Sequence, residues 1–144
     1  IAMEDLCIGF VGRFEHQKAP ERMIMALSNL VKYFPDLKLV MYGSGTLEEN
    51  IKKLAKDKQI LDSIIWAKGE NGAEVMNAFD IFALPSRYEA MPYVLIEALL
   101  MGLPIVSMNV GGASVSIEDG VNGFIVKQDD VDQFSNQLKQ IARY

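Results

Sequence analysis

Short apolar runs alternate along the chain with longer amphipathic segments. The runs are rich in Val, Ile, Leu and Phe and lack a regular apolar–polar alternation, which is typical of strands buried on both faces. They occupy residues 6–12, 37–43, 63–69, 80–86, 104–109 and 123–126. Helical patterns fill the intervals, at residues 20–34, 46–58, 73–79, 92–101 and 130–143. This order predicts an α/β fold, a Rossmann-like three-layer α/β/α domain around a six-stranded parallel sheet.

One predicted helix carries an unexpected carboxylate. Residues 92–101 are apolar except for Glu97, and Pro92 suits the first helical turn. An unpaired buried carboxylate costs several kcal/mol, on the order of 3–5 when a buried pair is broken. Either Glu97 faces a solvated stripe of its helix, or it accepts a hydrogen bond from a ligand hydroxyl group. Glu89, in the loop before the helix, would add a second acceptor.

Charge and composition narrow the function classes. The chain has 144 residues, a formal net charge of −5 and one cysteine, Cys7. An acidic balance argues against a nucleic-acid binder and against attachment to anionic lipid by charge alone. A single cysteine forms no intrachain disulfide, so we expect a reducing, cytoplasmic compartment. No apolar run reaches the roughly 18–20 residues of a membrane span, and no Asp, His or Cys cluster has metal-ligand spacing.

Polar and glycine residues follow each predicted strand, where ligands of open α/β sheets bind. In chain order they are Gly12, Arg13 and Lys18; Gly43 and Gly45; Gly69, Glu70 and Asn71; Ser86 to Glu89; and Asn109, Gly111 and Gly112. Taken singly, the GSG at 43–45 is equally well explained as a tight turn, and lone cations in a loop are mostly solvated. His16, the single histidine, is expected at the surface. The first-turn N–H groups around Met91 to Val94 suit an anion. Together these features fit a nucleotide sugar, which needs hydroxyl acceptors on either side of a diphosphate.

Four segments together resemble a known family. They are VGRFEHQKAPERMIMAL, VMYGSGTLEENI, DIFALPSRYEAMPYVLIEALLMGLPIVSMNVGG and EDGVNGFIV. The chain is similar to the C-terminal, donor-binding half of the retaining glycosyltransferases of family 4, which have the GT-B fold. The most specific feature is a pair of glutamates separated by seven residues, matched by Glu89 and Glu97.

The resemblance implies a role for each matching position. Catalytic roles are implied for Glu89, Arg13 and Lys18, with both cations on the donor diphosphate and Glu89 near the transferred sugar. Glu97 would bind the ribose hydroxyl groups. The remaining donor contacts would come from Gly12, Gly43, Gly69, Glu70, Asn71, Met91, Pro92 and Tyr93. The family needs no cofactor besides its donor substrate, here expected to be a UDP- or GDP-sugar, and no metal held by protein ligands.

Two positions depart from the family pattern. Val115 replaces a frequent acid after the glycine pair, which puts a polar role of that loop in doubt. The AMP of residues 90–92 replaces a commoner glycine-bearing form.

We expect residues 1–144 to be the donor-binding domain of a longer enzyme that acts on a polysaccharide or glycolipid acceptor. An acceptor domain would precede this domain, and the full-length protein would lie at the cytoplasmic membrane face. This domain alone should be inactive in transfer. The alternatives are a non-catalytic sugar-nucleotide-binding domain and a nucleotide-sugar epimerase-like enzyme.

Overall fold

A six-stranded parallel sheet forms the centre of the domain. The computed structural model describes residues 5–69 and 71–143. The strands are β1 (Cys7–Val11), β2 (Lys38–Tyr42), β3 (Ile64–Ala67), β4 (Ile81–Leu84), β5 (Ile105–Met108) and β6 (Gly123–Val126). Their order across the sheet is β3-β2-β1-β4-β5-β6, and every neighbouring pair is parallel. Strands β2 and β3 thus lie on one side of β1, and β4, β5 and β6 lie on the other side.

Helices cover the sheet and are consistent with the predicted three layers. They are α1 (Pro20–Leu30), α2 (Glu48–Asp57), α3 (Gly72–Val75), α4 (Tyr93–Leu100), α5 (Ala113–Ser116) and α6 (Val131–Ala142). α1 packs against α2 and α6, whereas α4 packs against α3 and α5. Short 3-10 turns lie at His16–Lys18, Leu61–Ser63 and Met76–Ala78.

The four central strands are largely buried on both faces, as their uninterrupted apolar runs predict, whereas the edge strands β3 and β6 are partly exposed. All four residues of β4 and of β5 are buried, including Ser107 in β5. Apolar side chains of α1 and α6 close one face, with Ile24, Phe134 and Leu138 fully buried. The expected fold is confirmed, and it leaves the six carboxyl strand ends on one edge.

Helix boundaries differ from the prediction in a few places. Helix α1 ends at Leu30 rather than at residue 34, because residues 31–33 continue as a turn. The region 73–79 divides into α3 and a 3-10 turn. Pro92 is not in the first turn of α4 but is its N-cap, with extended backbone (φ −78°, ψ 92°), and the helix begins at Tyr93. The single turn α5 was not predicted.

No helix among the described residues combines the length and the apolar character needed to cross a membrane.

Candidate functional site

The candidate site lies beyond the carboxyl ends of β1 and β4. These strands are neighbours, and the chain leaves them towards opposite sides of the sheet. Such a switch point opens a crevice between the two following loops, which is where open α/β sheets bind ligands. The loop after β1 carries Arg13 and Lys18, and the loop after β4 carries Glu89. The topology therefore brings two of the sequence-predicted segments together.

An ion pair between Lys18 and Glu89 joins the two loops. Lys18 Nζ contacts Glu89 Oε1 although the residues are 71 positions apart. The Lys18 side chain is 22% exposed and that of Glu89 is 7% exposed. Ser86 Oγ donates a second hydrogen bond, of 3.2 Å, to the same carboxylate oxygen. The buried carboxylate is thus both paired and hydrogen-bonded, which offsets the cost of removing it from water.

Backbone hydrogen bonds hold Lys18 in place. The Arg87 N–H donates to the Gln17 carbonyl at 2.8 Å, and the Gln17 side chain donates to the Tyr88 carbonyl at 3.1 Å. The Arg87 guanidinium donates to the His16 carbonyl at 2.6 Å and also pairs with Glu21. The 3-10 turn that carries Lys18 is therefore attached along the loop after β4. Arg87 has a structural role, and His16 is exposed, as predicted.

Glycines let the loops after β1 and β2 approach each other. A Cβ at Gly43 would lie 1.8 Å from the Gly12 carbonyl oxygen, and one at Gly45 would lie 2.5 Å from the Phe14 carbonyl oxygen. The Phe14 N–H also donates to the Ser44 carbonyl at 2.9 Å. The GSG segment is therefore a turn built for close backbone contact, which explains Gly43 without a ligand. Arg13, beside these glycines, is exposed.

The side chain of Glu15 also connects the loops after β1 and β2. Its carboxylate accepts hydrogen bonds from the Thr46 hydroxyl at 2.6 Å and from the Thr46 N–H at 3.0 Å. The side-chain bond, then the backbone bond, lowers the pKa of Glu15. This contact fixes the loop in which Arg13 lies.

The entry to α4 presents free donors next to Glu89. Met91 and Tyr93 are 48% and 73% exposed, while Pro92 is buried. Among the described residues, the backbone N–H groups of Met91, Tyr93 and Val94 have no hydrogen-bond partner. Pro92 has no N–H, so the expected anion-binding turn offers donors from its neighbours alone. This is the polarity that a phosphate group requires at a helix N-terminus.

The glycine pair after β5 supports this loop from below. A Cβ at Gly111 would lie 2.4 Å from the Glu89 carbonyl oxygen and 3.2 Å from that of Ala90. At Gly112 the backbone is left-handed (φ +81°), and a Cβ would lie 3.1 Å from Pro92 Cδ. The bare backbone is thus needed for close packing under residues 89–92. Val115, where the family often has an acid, is 88% exposed.

Glu97 lies one helical turn into α4. Leu95 and Ala98 on this helix are buried, whereas Glu97 itself is half-buried. Its carboxylate forms no hydrogen bond or ion pair with any residue that the structure describes. Since Leu100 is 83% exposed, the helix does not bury its whole apolar surface. Glu97 therefore has acceptor capacity available for a ligand at the protein surface.

The segment after β3 borders a separate open pocket. Tyr42, Gly69, Asn71, Glu74 and Val75 line a volume of about 510 Å³. Asn71 is the N-cap of α3, and its Oδ1 accepts from the Glu74 N–H at 3.1 Å. The predicted contact Glu70 lies outside the described residues. A structural cap thus accounts for Asn71, while the pocket leaves room for a flat ring.

Two further cavities lie at the opposite edge of the sheet. One of about 610 Å³ and one of about 490 Å³ share Pro104, Phe124 and Ile141. Their linings are largely apolar and lack the predicted site residues. Across residues 5–69 and 71–143, no three His, Cys, Asp or Glu side chains are grouped as possible ligands of one metal ion.

Sequence reasoning missed a buried polar group beneath the site. Arg22 on α1 is buried, with a side chain 5% exposed, and donates to the Pro85 carbonyl at 3.0 Å. Burial, and next the neighbouring Arg87 guanidinium, lower its pKa. Gln128, after β6, donates to the Ser86 carbonyl at 2.9 Å. Neither Arg22 nor Gln128 gave a signal in the sequence, because the partners of both are distant along the chain.

Known proteins match the chain in sequence. An uncharacterized glycosyltransferase of Haemophilus influenzae is 35% identical over 138 residues, which cover 94% of this chain and 39% of the relative. The Vi polysaccharide biosynthesis protein VipC/TviE of Salmonella typhi is 33% identical over 141 residues, covering 97% of this chain and 24% of the relative. The chain thus spans about a quarter to two fifths of the length of these curated relatives.

The fold matches a solved structure as well. A mutant of TarM from S. aureus, in complex with Fondaparinux, alpha-GlcNAc-glycerol and UDP, superposes with a TM-score of 0.91 at 22% identity, over 96% of this chain and 28% of TarM. The fold expected for one half of a GT-B enzyme is confirmed. The narrower assignment to family 4 is not tested and stays a prediction. The family described as Glycosyl transferases group 1 matches residues 1–143, and the chain belongs to it.

Proposed function

We propose that this chain binds the nucleotide diphosphate sugar of a retaining glycosyltransferase. The observation that carries the proposal is the Lys18–Glu89 pair at the switch point, beside the unpartnered N–H groups that begin α4. A cation, free amide donors and a carboxylate lie within one crevice. A diphosphate needs the first two, and a sugar hydroxyl group needs the third.

The residues divide between the parts of the donor. Lys18 and Arg13 neutralise the diphosphate, with the N–H groups of Met91, Tyr93 and Val94. Glu89 accepts from hydroxyl groups of the transferred sugar, and the free carboxylate of Glu97 accepts from the ribose. Gly69 and Asn71 border the pocket for the base. Gly12 and Gly43, which have no side chain, leave space for the donor between the loops. Catalysis rests on positioning the sugar and on stabilising the departing diphosphate.

The comparisons support a donor and an acceptor class. TarM was solved with UDP, which favours a uridine nucleotide over a guanosine one. The Vi polysaccharide relative favours a polysaccharide as acceptor, with a glycolipid as the second class. Family membership favours transfer over the epimerase-like and non-catalytic alternatives. We place the enzyme in the cytoplasm, at the membrane face, since its single cysteine is an unpaired thiol.

Calorimetric titration of the chain with UDP, GDP and ADP tests the proposal. We expect one nucleotide to bind. Glu97→Ala should weaken that nucleotide about 10- to 150-fold, because a hydrogen bond to a charged group contributes about 1.5–3 kcal/mol. Glu49→Ala, at an exposed position on α2, is the matched control and should leave the affinity unchanged. Equal binding by the wild type and Glu97→Ala would refute the assignment of Glu97. Absence of binding to the chain and to the full-length enzyme would refute the donor site.

A further inference from the structure

A glutamine far from the predicted motifs joins two strand ends beneath the site. Gln128 follows β6, and its Nε2 donates to the Ser86 carbonyl at 2.9 Å and to the Asn109 carbonyl at 3.2 Å. Ser86 follows β4, and Asn109 follows β5. One side-chain amide therefore holds the carboxyl ends of two neighbouring strands.

Arg22 fixes the orientation of this amide. Its Nη1 donates to Gln128 Oε1 at 3.2 Å and to the Pro85 carbonyl at 3.0 Å, while its Nη2 pairs with Asp129. A guanidinium can only donate, and a backbone carbonyl can only accept. The amide oxygen of Gln128 must therefore face Arg22, and its nitrogen must face the two carbonyls. With three of its four hydrogen-bonding positions occupied, the side chain has one arrangement.

Both strand ends lead to Glu89. On one side, buried Ser86 donates through Oγ to Glu89 Oε1 at 3.2 Å. On the other, Asn109 lies two residues before Gly111, where an added Cβ would lie 2.4 Å from the Glu89 carbonyl oxygen. A shift of either strand end would move the carboxylate or the loop beneath it. The hydrogen bonds that the described residues form with the Gln128 side chain involve neither Lys18 nor Glu89.

We propose that Gln128 is a positioning residue for sugar recognition, acting through Ser86 and Asn109 on the carboxylate of Glu89. The proposal rests on the proposed function, since it assigns Glu89 to the sugar of the donor. Gln128→Met leaves two carbonyls without their donor and so loosens both strand ends. The effect should appear in the affinity for the nucleotide sugar and not in that for the nucleotide, whose phosphates bind the α4 entry and Lys18.

The first measurement needs no ligand. Amide ¹H–¹⁵N spectra of Gln128→Met should show shifted signals at Ser86, Glu89 and Gly111. Gln133→Met, at an exposed position in α6 whose side chain has no hydrogen bond among the described residues, is the matched control. Unchanged signals at Ser86 and Glu89 in Gln128→Met would overturn the proposal, whatever the ligand.

The second measurement compares UDP with whichever of UDP-glucose, UDP-galactose and UDP-N-acetylglucosamine the wild type binds most tightly. Gln128→Met should lower the affinity for the nucleotide sugar about tenfold, which corresponds to about 1.4 kcal/mol, and the affinity for UDP less than twofold. In a Glu89→Gln background the Gln128 change should have no further effect, as coupled residues show in a double-mutant cycle. If Gln128→Met is poorly folded, Gln128→Glu replaces it, because it keeps the acceptor for Arg22 while losing both donors.

The outcomes separate the two proposals. Absence of binding of any nucleotide or nucleotide sugar by both the chain and the full-length enzyme refutes the proposed function, and the positioning role falls with it. Wild-type chain that binds, with Gln128 variants of unchanged sugar affinity or with equal losses for UDP and UDP-sugar, refutes the positioning role alone.

Discussion

Gly111→Ala separates close packing from backbone strain at the loop under the proposed donor site. The φ of Gly111 is not positive, so alanine meets no conformational penalty there. Its Cβ would, however, lie 2.4 Å from the Glu89 carbonyl oxygen. Since Cβ contacts under 3.0 Å essentially do not occur, the loop of residues 89–92 must move by at least about 0.6 Å.

This displacement predicts both a stability loss and an affinity loss. Overpacking of this kind costs about 1–3 kcal/mol of unfolding free energy. A shift of that size stretches a hydrogen bond of about 2.9 Å from a backbone N–H to a phosphate towards the limit of the interaction. Losing one such bond to a charged group costs about 1.5–3 kcal/mol, a 10- to 150-fold rise in Kd.

Calorimetry with UDP and denaturation in urea measure the two losses on the same protein. Gly120→Ala is the control, because Gly120 has left-handed backbone (φ +82°) and the Cβ added there would have nothing within 4 Å. It should lower stability by about 1–2 kcal/mol through strain, with UDP affinity unchanged. A folded Gly111→Ala variant with a Kd for UDP within twofold of the wild type would refute the link between this packing and the site.

Two further predictions concern stability and the buried thiol. Gln59 is exposed and has left-handed backbone (φ 60°) just after α2, so Gln59→Gly should raise the unfolding free energy by about 0.5–1 kcal/mol. Lys58→Gly, in right-handed backbone, is the control and should lower the unfolding free energy by a similar amount. Equal effects of the two substitutions would contradict the strain argument. Burial, and next the Asp80 carboxylate, raise the pKa of the Cys7 thiol to about 12, so the folded state favours the neutral thiol. Relative to Cys7→Ala, the unfolding free energy of the wild type should be constant below about pH 8.5, the approximate pKa of the thiol in the unfolded chain. As the pH rises from there towards 12, that free energy should fall by up to about 1.4 kcal/mol per pH unit. Native chain should also resist a thiol reagent at pH 8 and react after unfolding; native labelling at the unfolded rate would contradict the burial.

The sheet was predictable because its four central strands are largely buried on both faces and its partly exposed edge strands, β3 and β6, are still apolar runs. A continuous apolar run is then the direct signature of each strand, and β6 lies at residues 123–126 as predicted. Helix α5 escaped prediction because a single turn of four residues is too short to show a periodicity. Pro92 was misplaced by one position, since a proline fits both the N-cap and the first turn by sequence alone.

The site was predictable to the extent that its residues sit in motifs. Arg13, Lys18, Glu89 and Glu97 were singled out by their positions after the predicted strands and in the apolar helix, and then by the resemblance, but their contacts were not predicted. Nothing local links Lys18 to Glu89, and their pairing needs β1 and β4 to be neighbours in the sheet. Hydrophobic periodicity predicts that Arg22 is exposed to solvent. The side chain is buried because three oxygen acceptors, from Pro85, Gln128 and Asp129, stabilise its charge. Such polar groups depend on tertiary contacts, so no pattern along the chain reveals them.

The Lys18–Glu89 pair and a bound diphosphate need not compete. A lysine ammonium has three N–H donors, and Glu89 Oε1 occupies one of them. The other two remain available to a phosphate while the pair stays intact, so on the proposed function the buried carboxylate keeps its partner when the donor binds. Breaking the pair would instead leave an uncompensated buried charge, at a cost of about 3–5 kcal/mol. On the proposed function, Lys18 thus contacts both the phosphate and the carboxylate assigned to the sugar, while Ser86 holds that carboxylate in place.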